Sequence, residues 1–172
     1  GLGQSTQPMN YFDRRQDEDF TFARSYDAYT ARLENVPFYN AKRPITNATY
    51  LESGQKRYRE EHFELVHSQN INPSTSANLS YKARSTMGQY DWQRTKNHAL
   101  SLGFAHTGKR YSIHAAYMNN TIHARENGGA VGKWAIADTT FEMPSGVPMR
   151  LASSEAQNVY RNHGFFVKQA YA

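Results

Sequence analysis

The chain has 172 residues, the size of one domain or of a segment of a larger protein. Its hydrophobic content is only 38%, yet 13% of its residues are aromatic, which is too many for a disordered segment. The absence of cysteine excludes disulfides, thiolate metal sites and a cysteine nucleophile. No apolar run reaches the roughly 18 residues of a transmembrane helix. The net charge of +5 is spread in short clusters and does not form one basic block.

Residues 1–44 predict a polar N-terminal arm, extended or partly ordered. Its densest charge run covers residues 13–19, and a short strand is predicted around Phe20 to Ala23. Val36-Pro37 and Arg43-Pro44 indicate extended chain, because the residue before a proline is pushed out of the helical region.

Residues 45–172 predict an antiparallel β-meander. Leu79 and Tyr81 alternate with Lys82 and Arg84, and this period of two is typical of a strand with one apolar and one polar face. Similar segments are joined by tight turns that contain Asn, Pro or Gly, as in β-hairpins. The strands are predicted at residues 45–51, 58–70, 76–85, 98–105, 111–118 and 162–171.

The connections between these strands alternate in length. Short turns are predicted at 70–74 and 107–109, and long loops at 86–96 and about 124–159, with a short helix at 154–160. Outer-membrane barrels have short turns on one rim and longer loops on the other. The expected fold is therefore all-β, an antiparallel meander that is a segment of a transmembrane β-barrel. A soluble sheet with one solvated face would give the same alternation.

Several short motifs carry a family resemblance. From about residue 36 onward the chain resembles the N-terminal part of the putative porin family of Bacteroidota outer-membrane β-barrels. The resemblance implies a barrel in the outer membrane, in contact with lipid, through which small solutes pass, and it implies that this chain is an N-terminal fragment. It also allows association with other outer-membrane proteins. The motifs are 36–39 (Val-Pro-Phe-Tyr), 43–50 (Arg-Pro-Ile-Thr-Asn-Ala-Thr-Tyr), 67–73 (His-Ser-Gln-Asn-Ile-Asn-Pro), 108–111 (Gly-Lys-Arg-Tyr), 115–117 (Ala-Ala-Tyr) and 126–129 (Glu-Asn-Gly-Gly).

Strand parity assigns candidate residues to the two sides of a barrel wall. Lys82, Arg84 and Lys168 oppose the apolar set on their strands and are the candidate lumen-facing residues. Basic residues along a lumen favour anions. The candidate lipid-facing or aromatic-girdle residues are Leu79, Tyr81, Leu100, Leu102, Phe104, Tyr111, Ile113 and Tyr117.

No constellation for catalysis, a cofactor, a metal or nucleic acid emerges. The chain has neither a Gly-x-Ser-x-Gly elbow nor a phosphate-binding loop. His62 and His67 differ by an odd number and face opposite sides of a regular strand, whereas metal ligands must converge. We expect a protein that is not an enzyme. The alternative function is a soluble β-rich binding module, for example one that recognises glycans through exposed Tyr and Trp.

Overall fold

The computed structural model describes residues 4–14, 21–55, 58–131, 146–152 and 156–172. One antiparallel sheet contains six strands in sequence order, so the predicted all-β meander is confirmed. In these ranges the first and last strands do not pair with each other, and the sheet is open. The strands are β1 (Ile45–Ser53), β2 (Glu60–Asn72), β3 (Thr75–Thr86), β4 (Arg94–Thr107), β5 (Tyr111–Arg125) and β6 (Gln157–Tyr171).

The two rims of the sheet differ in the length of their connections. Residues 73–74 and 108–110 form the short-turn rim. Residues 54–59, 87–93 and 126–156 connect strands at the opposite rim, which we call the long-loop rim. The alternation expected from the sequence is therefore present.

Two local predictions are wrong. Thr21–Tyr29 is a 3₁₀ helix, which replaces the predicted strand at Phe20 to Ala23; Phe20 itself lies outside the described residues. Without a partner strand, an extended segment would leave its backbone groups unpaired, and the local bonds of a 3₁₀ turn satisfy them.

The predicted helix at 154–160 is also wrong for the residues of that range that the structure describes. Residues 157–160 belong to β6 and pair with residues 122–125 of β5, while 153–155 lie outside the described residues. The long connection, predicted at about 124–159, therefore starts after Arg125 and ends before Gln157. β5 continues to Arg125 because β4 and β6 both supply it with backbone partners.

Within the N-terminal segment 1–44, residues 26–41 cross one face of the sheet from the long-loop rim to the short-turn rim. From here on, the arm means residues 26–41 only. Tyr26 stacks on Tyr160 near the long loops, with ring centroids 6.1 Å apart. At the other end the ring of Phe38 packs edge-on against His114 at 5.1 Å. We call the face that the arm covers the inner face, and the opposite one the outer face.

Candidate functional site

Burial along β4 is inverted relative to that of a soluble sheet. On the inner face Asn97 and Ser101 are only 3% and 8% exposed. On the outer face Leu102 and Phe104 are 38% and 40% exposed. A water-soluble sheet of this size would place its large apolar side chains against a core and its polar ones in water. The outer face of this sheet has no such cover among the described residues.

The strand register extends this apolar surface across the sheet. Residues paired in an antiparallel ladder lie on the same face. One row runs from Leu79 through Leu102 and Tyr117 to Phe165. All eight candidate lipid-facing residues lie on the outer face. They are Leu79, Tyr81, Leu100, Leu102, Phe104, Tyr111, Ile113 and Tyr117.

Tyrosine and histidine side chains border the apolar surface on the side of the long-loop rim. The Tyr81 hydroxyl lies 2.9 Å from His98 Nδ1, and the two rings stack. The Tyr117 hydroxyl lies 3.1 Å from His163 Nδ1 on the neighbouring strand. These side chains combine an apolar ring with a polar group, the combination favoured at a boundary between apolar and aqueous surroundings.

A second polar border lies toward the short-turn rim. His106 Nδ1 is 2.8 Å from the Thr75 hydroxyl, and the Tyr111 hydroxyl donates to Gln169 at 3.3 Å. From His98 to His106 the strand spans roughly 26 Å at about 3.3 Å per residue. At a tilt of about 40° this corresponds to a height of roughly 20 Å, close to the band of about 25 Å that barrels bury in a membrane.

Charged residues cluster between the border of tyrosine and histidine side chains and the long-loop rim. Arg59, in the loop between β1 and β2, forms ion pairs with Glu52 at 2.9 Å and Glu61 at 2.7 Å. The hydrogen bond with Tyr50 and the two carboxylates raise the pKa of Arg59. This cluster of charges marks the end of the apolar surface on the side of the long-loop rim.

The three candidate lumen-facing residues all lie on the inner face. Lys82 Nζ contacts Glu64 at 3.0 Å. Arg84 donates from Nε to His62 Nδ1 at 3.0 Å, and its guanidinium lies 5.4 Å from the ring centre of Tyr29 in the arm. Lys168 pairs in register with His114 and is exposed. The arm therefore contacts Arg84.

A comparison with known protein families identifies the family of the chain. The whole chain, residues 1–172, matches the family described as putative porin. The chain belongs to that family. The resemblance seen in the sequence is confirmed, and the match includes the arm. Porins are transporters and not enzymes. Among curated proteins and among solved structures, nothing matches the chain.

The arm of this family member is fixed to the inner face by a side-chain amide. Asn120 of β5 is 1% exposed; its Oδ1 accepts from the backbone N–H of Ala31 at 2.7 Å, and its Nδ2 donates to the Ala31 carbonyl at 2.9 Å. Two glycines allow the arm to approach closely. A Cβ at Gly103 would lie 3.3 Å from Val36, and one at Gly164 would lie 3.0 Å from Leu33.

A cavity of about 340 Å³ remains between the arm and strands β2 to β4. Polar side chains line its wall, and Lys82 and Arg84 are among them. The side-chain amides of Asn78 and Asn97 have atoms that are buried without a hydrogen-bond partner among the described residues. Sequence reasoning missed this cavity, because parity assigns residues to a face but does not show what covers the face.

The described part of the chain contains neither a helix that could span a membrane nor a candidate metal cluster. No helix there is long and apolar enough to cross a membrane. The same residues contain no group of three or more His, Asp or Glu side chains that could hold a metal ion.

Proposed function

We propose that this chain forms part of the wall of an outer-membrane β-barrel through which small solutes pass passively. In this proposal the apolar outer face contacts lipid, the polar inner face lines the lumen, and the arm lies inside the lumen. The inverted burial of β4 supports it most strongly, because a lipid bilayer is the environment that stabilises exposed leucine and phenylalanine opposite covered asparagine and serine.

The open edges of the sheet support the same proposal. Among the described residues no strand pairs with the free sides of β1 and β6, which present backbone donors and acceptors, and barrels satisfy such groups by closure with further strands. Membership of the putative porin family supports the proposal that the closed structure is a pore. Lys82, Arg84 and Lys168 then place positive charge in the lumen, which favours the passage of anions over cations.

The test compares two charge reversals on β6 in the complete protein, reconstituted in planar bilayers. Lys168 lies on the inner face and Arg161 on the outer face of the same strand. We expect a conducting pore whose reversal potential in a salt gradient moves toward cation selectivity in Lys168→Glu and stays near the wild-type value in Arg161→Glu. Absence of conductance, or equal shifts in both variants, would contradict the proposal.

The alternative of a soluble glycan-binding module is not favoured. Glycan recognition through aromatic residues requires rings exposed to water on a bounded site. The outer face instead presents aliphatic and aromatic residues in continuous rows across several strands, as in the row from Leu79 to Phe165. A protein that stays monomeric and folded without detergent would restore this alternative.

A further inference from the structure

We propose that the cavity between the arm and strands β2 to β4 is a binding site for a slender, hydroxylated anion of the sugar-acid class. This inference rests on the proposed function, since it places the site on the path of the solute. It assigns a role to buried polar groups that the fold itself leaves unused.

The cavity is long and narrow. Its wall on β3 extends from Asn78 to Arg84, six residues apart, or roughly 20 Å at about 3.3 Å per residue. Its wall on β4 presents Ser101 opposite Ser80, and Asn97 opposite Arg84. A volume of about 340 Å³ distributed over that length admits a chain-like solute of about disaccharide size lying along the strands.

Two asparagines supply buried hydrogen-bonding groups that lack a partner in the described part of the chain. Both amide atoms of Asn97, which is 3% exposed, lack a partner among the described residues. Asn78 Oδ1 accepts from the Ser68 hydroxyl at 2.7 Å, but its Nδ2 also lacks a partner there. Buried polar groups are nearly always hydrogen-bonded, and hydroxyl groups of a ligand could both donate to and accept from these amides.

The charges at the Arg84 end of the cavity do not balance. Lys82 is paired with Glu64, and Arg32 of the arm is paired with Asp27 at 3.0 Å. Within the part of the chain that the structure describes, Arg84 has no carboxylate in salt-bridge range, and its recorded polar partner is His62. A ligand carboxylate beside Arg84 and Asn97 would neutralise this charge through charge-assisted hydrogen bonds.

The experiment uses the complete protein in detergent, with lactobionate as the anionic probe and lactitol as its neutral counterpart. Binding is measured by isothermal titration calorimetry. We expect lactobionate to bind at least about 10-fold more tightly than lactitol, a typical effect of one charge-assisted hydrogen bond. Equal binding of the two probes, or no binding of either, would overturn the proposal.

Two variants and a control locate the binding. Arg84→Gln and Asn97→Leu should each weaken lactobionate binding by at least about 10-fold. Arg161→Gln removes a positive charge from the outer face, outside the cavity, and should leave binding within about 2-fold of wild type, since exposed charges at a distance are screened. Equal losses in Arg84→Gln and Arg161→Gln would show a general charge effect and overturn the site.

Asn97→Leu also separates a binding role from a structural role. Because the buried amide has no hydrogen-bond partner among the described residues, its replacement should leave the ligand-free unfolding temperature unchanged or raise it. A clear fall in that temperature would show that the amide stabilises the fold and would count against the site.

Conductance without lactobionate binding would refute the site alone, whereas binding without conductance would refute the pore alone.

Discussion

The attachment of the arm through Asn120 gives the sharpest prediction about the lumen. Asn120→Leu keeps the branching of the side chain and removes both hydrogen bonds to the backbone of Ala31. The matched control is Asn162→Leu. Asn162 lies opposite Asn120 in the ladder, on the same face, and its Nδ2 donates to the Tyr160 hydroxyl and not to the arm.

The size of the effect follows from the two lost contacts. Each neutral hydrogen bond contributes about 0.5–1.5 kcal/mol, and a buried backbone group left without a partner costs about 1–3 kcal/mol. We take roughly 2–4 kcal/mol for the two bonds together, because water can reach part of the site when the arm moves. At about 1.4 kcal/mol per factor of ten, the equilibrium for local detachment of the arm increases roughly 30- to 700-fold.

Hydrogen exchange at the amide of Ala41 reports this equilibrium, because that amide of the arm donates to Asn70 and not to Asn120, and local opening limits exchange of a protected amide. We expect the protection factor of that amide to fall by the factor above in Asn120→Leu and by less than about 3-fold in Asn162→Leu. Amides in the middle of β4 should keep their protection in both variants. Unchanged protection at Ala41, or an equal loss in the two variants, would refute the conclusion that Asn120 holds the arm.

Three further predictions concern the two faces and the arm. Val167→Arg on the outer face should cost about 2–4 kcal/mol in urea unfolding from vesicles, whereas Ala170→Arg on the inner face should cost little. Gly103→Leu should push the arm away, since even a Cβ there would lie 3.3 Å from Val36, and arm-specific proteolysis should become faster. Burial raises the pKa of Tyr26, so its protonated form is favoured in the docked arm. That stabilisation should therefore be lost as the pH rises above about 10, and Tyr26→Phe should remove the alkaline sensitivity seen by hydrogen exchange.

The central strands could be predicted from the sequence because apolar and polar residues alternate regularly through the middle of each strand. In β3, Leu79 and Tyr81 alternate with Ser80 and Lys82, and the register places each set on one face. The short turns carry their own signals in Pro73 and in the glycine at 108. Period-two patterning and turn chemistry together specify a meander without any knowledge of long-range contacts.

The far ends of β5 and β6 could not be found in this way because the pattern inverts there. Beyond the Tyr and His border, the outer face carries Asn119 and His123, while Ile122 on the inner face is 1% exposed. An apolar inner residue next to a polar outer one breaks the parity that defined the strand. Ile122 pairs in register with Tyr160, whose ring stacks on Tyr26 of the arm, and this contact joins positions more than a hundred residues apart in sequence.

The place of the arm was equally inaccessible to local reasoning. Its contacts with the sheet, such as those of Phe38 with His114 and of Ala31 with Asn120, join positions far apart in the chain. Parity assigned Arg84 to the polar face correctly, but nothing in its neighbourhood in sequence indicates the aromatic ring of Tyr29 above it. The cavity results from that packing, and no sequence motif indicates it.

The central claim is that the outer face contacts lipid and the inner face contacts water. Single cysteines at Phe165, Phe166, Val167 and Lys168 of β6 test it in the complete protein reconstituted in bilayers, because the arm leaves these positions exposed on both faces. A membrane-impermeant maleimide should label positions 166 and 168, and a lipid-soluble probe should label 165 and 167. Equal labelling of all four positions by the water-soluble reagent would contradict the account.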